Sequence, residues 1–237
     1  MPGQVEVRNA ILRRLRPDDL SSLLAKAEAV DLPRNMILEE PGKGIEFTYF
    51  LEDGLCSVVV GRDEMRAEAA HIGYEGATGS ALLHGVSVPN AQSVMQIKGH
   101  GWQLAAADLL QLVDAIPDLK RMCLLFSQAL TTQIANALLA AAKFRIQQRL
   151  ARWLLMCHDR TKGDTLSLTH EFLALMLAVR RSGVTTELHI LEGKGLIRAT
   201  RGRITMLDRE GLIEIAAGCY GVPEREYERL FPPLRRH

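Results

Sequence analysis

Residues Leu168–Met206 decide how the chain is read. One short helical pattern, Thr169-His170-Glu171-Phe172-Leu173-Ala174-Leu175-Met176-Leu177, is followed after Ala178-Val179 by a second, Arg180-Arg181-Ser182-Gly183-Val184-Thr185-Thr186-Glu187-Leu188-His189-Ile190-Leu191. Thr169 suits a helix N-cap, because its hydroxyl can accept from an orphan amide, and Glu171 suits the positive end of the helix dipole. Phe172, Leu173, Met176 and Leu177 share one face; Val184, Leu188 and Leu191 restart the period at spacings of four and three. Leu196–Thr200 and Arg203–Leu207 then flank Arg201-Gly202, which predicts a hairpin. Helix, turn, helix and basic hairpin in this order predict a winged helix-turn-helix.

The second helix leaves one face free, and the residue types on it suit a duplex. Arg180, Arg181, Ser182, Thr185, Thr186 and His189 can all bond to base edges or phosphates, and an arginine fork can meet two guanine acceptors at once. Arg201 and Arg203 at the hairpin tip suit phosphates. Taken singly, an amphipathic helix pair is ordinary core packing and Arg180-Arg181 is a solvated face. The ordered set is far more specific.

Charge is distributed to match. The net charge of +1 hides a split: residues 143–237 hold 17 Lys/Arg against 11 Asp/Glu, whereas residues 1–142 hold 12 against 17. The basic half is therefore expected to meet the phosphate backbone in a salt-sensitive way. At 237 residues the chain has room for one large or two modest domains. No Gly-x-Ser-x-Gly elbow, His-Glu-x-x-His helix or Walker loop occurs, so an enzyme is not expected. The glycines at 73, 76 and 79 lack the spacing of a phosphate loop and read as turn chemistry. Cys56, Cys123, Cys157 and Cys219 are widely spaced, without metal-binding neighbours, and are expected to be buried free thiols. Met1–Arg16 has no apolar run of the signal-peptide kind, and no run approaches the roughly 18 apolar residues of a spanning helix, so a cytoplasmic protein without a membrane is expected.

The N-terminal half reads as β-rich after a helical pattern at Asp18–Ala29. Asn35–Leu38, Phe47–Leu51, Leu55–Val60, Arg66–Ile72 and Ser93–Ile97 are extended candidates, and Glu52-Asp53-Gly54 signals a hairpin between the second and third. Pro117 is placed to start a long helix, along which Leu119, Cys123, Phe126, Leu130, Ile134, Ala137 and Ala141 form a stripe that asks for a partner helix. The helical pattern can break around Lys143–Gln148 and resumes with Arg149–Met156. Asp208 caps a further helix, and Tyr220, Tyr227, Leu230 and Phe231 imply that the tail, residues 219–237, docks.

Thr169–Ile197 with its Arg-Gly-Arg hairpin resembles the DNA-binding domain of the cyclic-AMP receptor protein and fumarate–nitrate reduction regulator (CRP/FNR) family. The resemblance extends more weakly from about Asp18 onward. It implies an α+β chain with three parts. Residues 1–116 would form a jelly-roll-like β-barrel of the cyclic-nucleotide-binding type, residues 117–142 a dimerisation helix, and residues 143–237 the winged helix-turn-helix with an extension. It also implies a homodimeric, sequence-specific transcriptional regulator on an inverted-repeat operator, with double-stranded DNA as partner, RNA polymerase as a further one, and a junction near residue 143 acting as the hinge.

Several positions depart from that family. The resemblance places a ribose-holding glutamate and a phosphate-binding Arg-Ser pair in the segment Gly76–Leu83 and Val88–Ala91, which has neither. Its effector-pocket positions are Thr78, Gly79, Ser80, Pro89 and Asn90, with Ile134 and Ala135 where hydroxyls would meet adenine. A buried phosphate needs a compensating cation, and Pro89 lacks even an amide. Tight cyclic-AMP binding is not expected, nor is a resident cofactor or metal, and either another small effector or none remains open. A nucleotide-responsive regulator with an atypical pocket, or a sensor that has lost DNA binding, are the alternatives. In the reader, Arg180 and Ala178 stand where the family often has Ser and Gly, the usual Arg-Glu pair is Arg181-Ser182, and a second base-reading arginine maps to Thr186.

Overall fold

The computed structural model describes residues 6–232; residues 1–5 and 233–237, at the outer ends of the first and last expected domains, lie outside the described residues. The chain divides into two compact units, one built from the residues up to Cys56, Ile72–Gln128 and Pro232, the other from Ser57–His71 and Ala129–Phe231.

The first unit opens with helix α1 (Pro17–Leu24), which has proline in its first turn, where no amide partner is needed, and Asp18 and Asp19 against the dipole. Strands β1 (Glu28–Leu32), β2 (Ile37–Glu39), β3 (Phe47–Leu51), β4 (Leu55–Val60), β5 (Ala67–Ile72), β6 (Gln92–Ile97) and β7 (Gly99–Ala105) follow. They form two antiparallel sheets in the jelly-roll manner, one in the order β1-β7-β3 and the other in the order β2-β6-β4-β5, with the outer parts of β4 and β5 passing into the second unit. Phe50, Leu51, Leu55, Met95 and Leu104 are wholly buried in the core of the first unit. Each such side chain stabilises the fold by about 1.5–3 kcal/mol relative to exposure.

Two readings of this half need correction, and three elements are additions to it. The helical pattern at Asp18–Ala29 stops at Leu24, because Glu28–Leu32 pair with Gly99–Gln103 instead, and a sheet partner overrides a local helical spacing. Residues 52–54 do not close a hairpin: β3 pairs with β7 and β4 belongs to the other sheet, so the turn is a corner between sheets. Gly54 has a φ of 86°, and a Cβ there would meet the Ile97 carbonyl at 2.7 Å, so the backbones approach too closely for a side chain. Strands β1 and β7 and helix α2 (Ala106–Ala115) carry no strong alternation and go unseen in the sequence.

Helix α3 (Pro117–Lys143) begins at the proline that signals it. The expected stripe is divided, however. Leu119, Cys123, Phe126 and Leu130 are buried within the chain itself, whereas Ile134 of the stripe stays exposed together with Leu124, Leu138 and Leu139, which lie outside it. By length and composition α3 is apolar enough to cross a membrane, with an 18-residue window of mean hydropathy 1.3, contrary to the expectation that no run approaches a spanning helix. Its pattern is nevertheless that of an amphipathic packing helix: Gln133 is buried and its amide donates to the His71 carbonyl at 3.2 Å.

The second unit holds α4 (Ile146–Arg160), β8 (Thr165–Leu166), α5 (His170–Met176), α6 (Arg181–Gly193), β9 (Ile197–Thr200), β10 (Arg203–Met206), α7 (Arg209–Ile215) and α8 (Val222–Leu230). The helical pattern breaks at Phe144-Arg145, between α3 and α4, inside the anticipated window. Asp208 caps α7 by accepting from the Gly211 amide at 2.9 Å, as its position implies. The tail docks through Tyr220, whose hydroxyl donates to Asp159 at 2.8 Å while Arg209 donates to the other oxygen at 2.6 Å. Phe231 is buried and stacks on Tyr227. All four cysteines are buried free thiols, and burial pushes the Cys123 thiol up to about 12.

Candidate nucleic-acid interface

Capping, burial and close approach position the two helices of the reader. Thr169 caps α5 by accepting from the Phe172 amide at 3.2 Å. Val184, Leu188 and Leu191 are wholly buried and anchor the inner face of α6, and a Cβ added at Gly183 would touch Ile146 Cδ1 at 3.4 Å, so α6 lies close on α4. Between the helices Ala178 adopts a φ of 50°. Left-handed backbone at a residue with a Cβ costs roughly 1–2 kcal/mol, so the tight turn is kept here without the glycine that would relieve it.

The outer face of α6 then falls where the periodicity puts it. Arg180, Arg181, Ser182, Thr186 and His189 are exposed. Their surroundings differ in ways that spacing does not reveal. Arg181 pairs with Glu171 of α5 at 2.9 Å, with both side chains more than half exposed. Thr185 is only partly exposed and hydrogen-bonds His170 Nδ1 at 2.9 Å, so it braces α6 on α5. The Thr186 hydroxyl donates back to the Ser182 carbonyl at 3.0 Å. His189 lies 3.9 Å from Glu192.

The wing is a three-stranded sheet, β8-β10-β9, whose third member the sequence reading missed: β8 is two residues long, too short for any period to show. Ile197 and Ile204 turn inward and Arg198, Arg201 and Arg203 outward. Gly202 provides the left-handed residue of the turn, with a φ of 71°. Two bonds pin the wing to the reader: Glu192 of α6 accepts from the Ala199 amide at 2.8 Å, and the Gly202 carbonyl accepts from the Leu168 amide at 3.0 Å. Base-reading and phosphate-binding candidates thus belong to one braced assembly.

The effector-pocket candidates are not gathered in one place. Thr78, Gly79 and Ser80 border a cavity of about 10 Å³, enough for about one water. The Thr78 hydroxyl accepts from the Tyr49 amide at 3.0 Å, and Gly79 donates to Glu39 at 3.0 Å. Burial raises the Glu39 carboxyl above its ordinary range, against the pull of its bonds from Ser93 and Gly79. Pro89 and Asn90 do not line that cavity, and Ile134 is exposed on the part of α3 that belongs to the second unit.

Sequence reasoning also missed a buried polar cluster in the second unit. Trp153 donates from Nε1 to Glu68 at 2.6 Å, Ser57 donates to the other Glu68 oxygen, and the His71 and Phe172 rings meet Trp153 edge-on at 5.2 and 5.7 Å. Its members are 96 residues apart from Ser57 to Trp153, and no local pattern announces them.

Residues 148–215 match the family model described as the Crp-like helix-turn-helix domain. No curated protein matches the chain. Among solved structures, FixK2 from Bradyrhizobium japonicum is 14% identical, with a TM-score of 0.69 over 81% of this chain and 98% of FixK2. The c-di-GMP responsive global regulator CLP of Xanthomonas campestris is 17% identical, with a TM-score of 0.64 over 81% of this chain and 99% of CLP. TTHA1359, a CRP/FNR-family transcriptional regulator from Thermus thermophilus, is 20% identical, with a TM-score of 0.57 over 80% of this chain and 98% of its own. At these identities the likeness is one of fold.

Proposed function

We propose that this chain, which carries a Crp-like helix-turn-helix domain and has the fold of CRP/FNR-type regulators, is a homodimeric transcriptional regulator that reads an inverted-repeat operator. Arg180, Arg181, Ser182, Thr186 and His189 face the bases from α6, and Arg201, Arg203 and Arg198 hold phosphates from the wing. The observation that carries this reading is the division of α6 into a wholly buried apolar face and an exposed face of arginine, hydroxyl and imidazole groups. Alone that face would be an ordinary solvated one, but set after a helix and a tight turn and before a basic wing it has the residue types and the placement of a groove-reading helix.

The two copies join through α3, where Leu124, Leu138 and Leu139 stay exposed on a helix of 27 residues. The barrel of residues 1–116, the dimer helix of residues 117–142 and the reader of residues 143–237 divide the labour. The protein works without catalysis and in the cytoplasm, where its DNA is, with RNA polymerase as the further partner of such a regulator. Cyclic AMP is not its effector: the cavity beside Thr78, Gly79 and Ser80 is far too small, and no arginine lines it.

Selection of bound DNA from a random pool tests the reading. The expected product is an inverted repeat with half-sites about 10–10.5 base pairs apart centre to centre. A monomeric protein, or one that binds scrambled competitor as tightly, refutes it. Calorimetric binding of cyclic AMP at micromolar affinity or better would refute the statement about the effector.

A further inference from the structure

The second unit contains a cavity of about 90 Å³ with Arg152 in its wall. Arg152 is 7% exposed, and its Nε and Nη2 are buried without a hydrogen-bond partner among the described residues. Glu68, the carboxylate in the same wall, receives Trp153 on one oxygen and Ser57 on the other, and neither it nor Glu224, which also acts on Arg152, bonds those two nitrogens. Arg149 adds a second guanidinium to the same wall and donates to the Leu177 carbonyl at the end of α5. Burial lowers the pKa of both arginines, Arg152 against the opposing influence of Cys219, Glu224 and Glu68. Alanines at 67, 69, 70, 137, 140 and 141 leave the space open beside the buried amide of Gln133.

A buried guanidinium with idle donors is strongly unfavourable unless an anion meets it, and its planar fork matches two oxygens of one acid group. Two arginines against one carboxylate leave the wall net positive. The volume holds several waters, hence a small acid and not a nucleotide. We propose that this cavity is a binding site for a small oxyanion, a phosphate group or a carboxylate, held by the fork of Arg152 with Arg149 beside it.

The wall also includes Met176, Leu177 and the strained turn residue Ala178. An anion seated there ties the strand Ala67–Ala70 and α4 to the turn that leads into α6. DNA affinity therefore depends on occupancy, a coupling that rests on the DNA-reading function; the binding itself does not.

The test uses the full chain at constant ionic strength, titrated with inorganic phosphate, sulfate and acetate against chloride, with thermal melting as readout. The wild type is expected to show a saturable rise of roughly 5–10 °C at a hundredfold excess over Kd for at least one of the three. Arg152→Met, which replaces a buried charge with an apolar chain of similar length, should melt independently of the anion. Arg152→Lys retains the charge but loses the fork, and should shift the titration midpoint at least tenfold; it decides the matter if the methionine variant does not fold. No saturable rise in the wild type, or an equal rise in the variants, overturns the site. Mobility shifts with and without the stabilising anion test the coupling, with at least a fivefold change expected in wild type and none in Arg152→Met. Stabilisation without that change refutes the coupling and keeps the site; stabilisation in a protein that binds no DNA at all refutes the regulator and keeps the site.

Discussion

Removing the charge of Glu171 should tighten specific DNA binding. Glu171 holds Arg181 at 2.9 Å on the surface, with the two side chains 61% and 65% exposed, so the arginine must leave it to fork onto a guanine. An ion pair that open to solvent is worth about 0.2–1 kcal/mol. At 1.4 kcal/mol per factor of ten, Glu171→Gln should strengthen operator binding by about 1.5- to 5-fold. Arg181→Ala loses a bidentate base contact of about 1–3 kcal/mol, a drop of roughly 5- to 150-fold on the operator and little on scrambled DNA. The double variant separates the two effects: without Arg181, Glu171→Gln should no longer improve the ratio of specific to non-specific affinity. Fluorescence anisotropy with operator and scrambled duplexes across a salt series measures all four corners. Should Glu171→Gln weaken operator binding, or improve the ratio equally in the absence of Arg181, the assignment of Arg181 to a base edge is wrong.

Arg203→Ala at the wing should weaken operator and scrambled DNA alike and reduce the slope of log K against log salt by about 0.9, the release of one phosphate contact, which the same salt series reads. Leu138→Asp, on the 73% exposed position of α3, should convert the protein to monomers by analytical ultracentrifugation, abolish preference for the inverted repeat, and leave a cooperative melt that no longer depends on protein concentration. Leu188→Ala should destabilise the fold by about 2–5 kcal/mol in denaturant melts, because its side chain is wholly buried under the reading face. Glu39 binds its proton more tightly folded than unfolded, so its contribution is fully present below the unfolded pKa and is lost as pH rises through the higher folded value. Glu39→Gln should therefore raise the melting temperature near pH 8 more than at pH 4, and an equal gain at both would contradict that sign.

What the amino-acid order alone determined is local. Thr169 and Asp208 cap the helices they precede, Val184, Leu188 and Leu191 give α6 its buried face, Pro117 starts α3, and Gly202 turns the wing, because capping, helical period and backbone freedom act within a few residues. The exposed side of α6 is legible for the same reason: burying one face of a helix exposes the other. What tertiary structure decided depends on partners distant in sequence. Glu28–Leu32 become a strand because Gly99–Gln103 pair with them, and the turn at residues 52–54 becomes a corner because β3 pairs with β7 and not with β4. The α3 stripe loses Leu119 and Phe126 to the core, and its outer surface shifts to Leu138. Arg181 meets Glu171, and Arg152 is left with idle donors in a cavity, only once separate helices and strands are packed. Hydrogen bonding and burial over such separations depend on the whole fold, and the periodicity of a single segment carries no record of them.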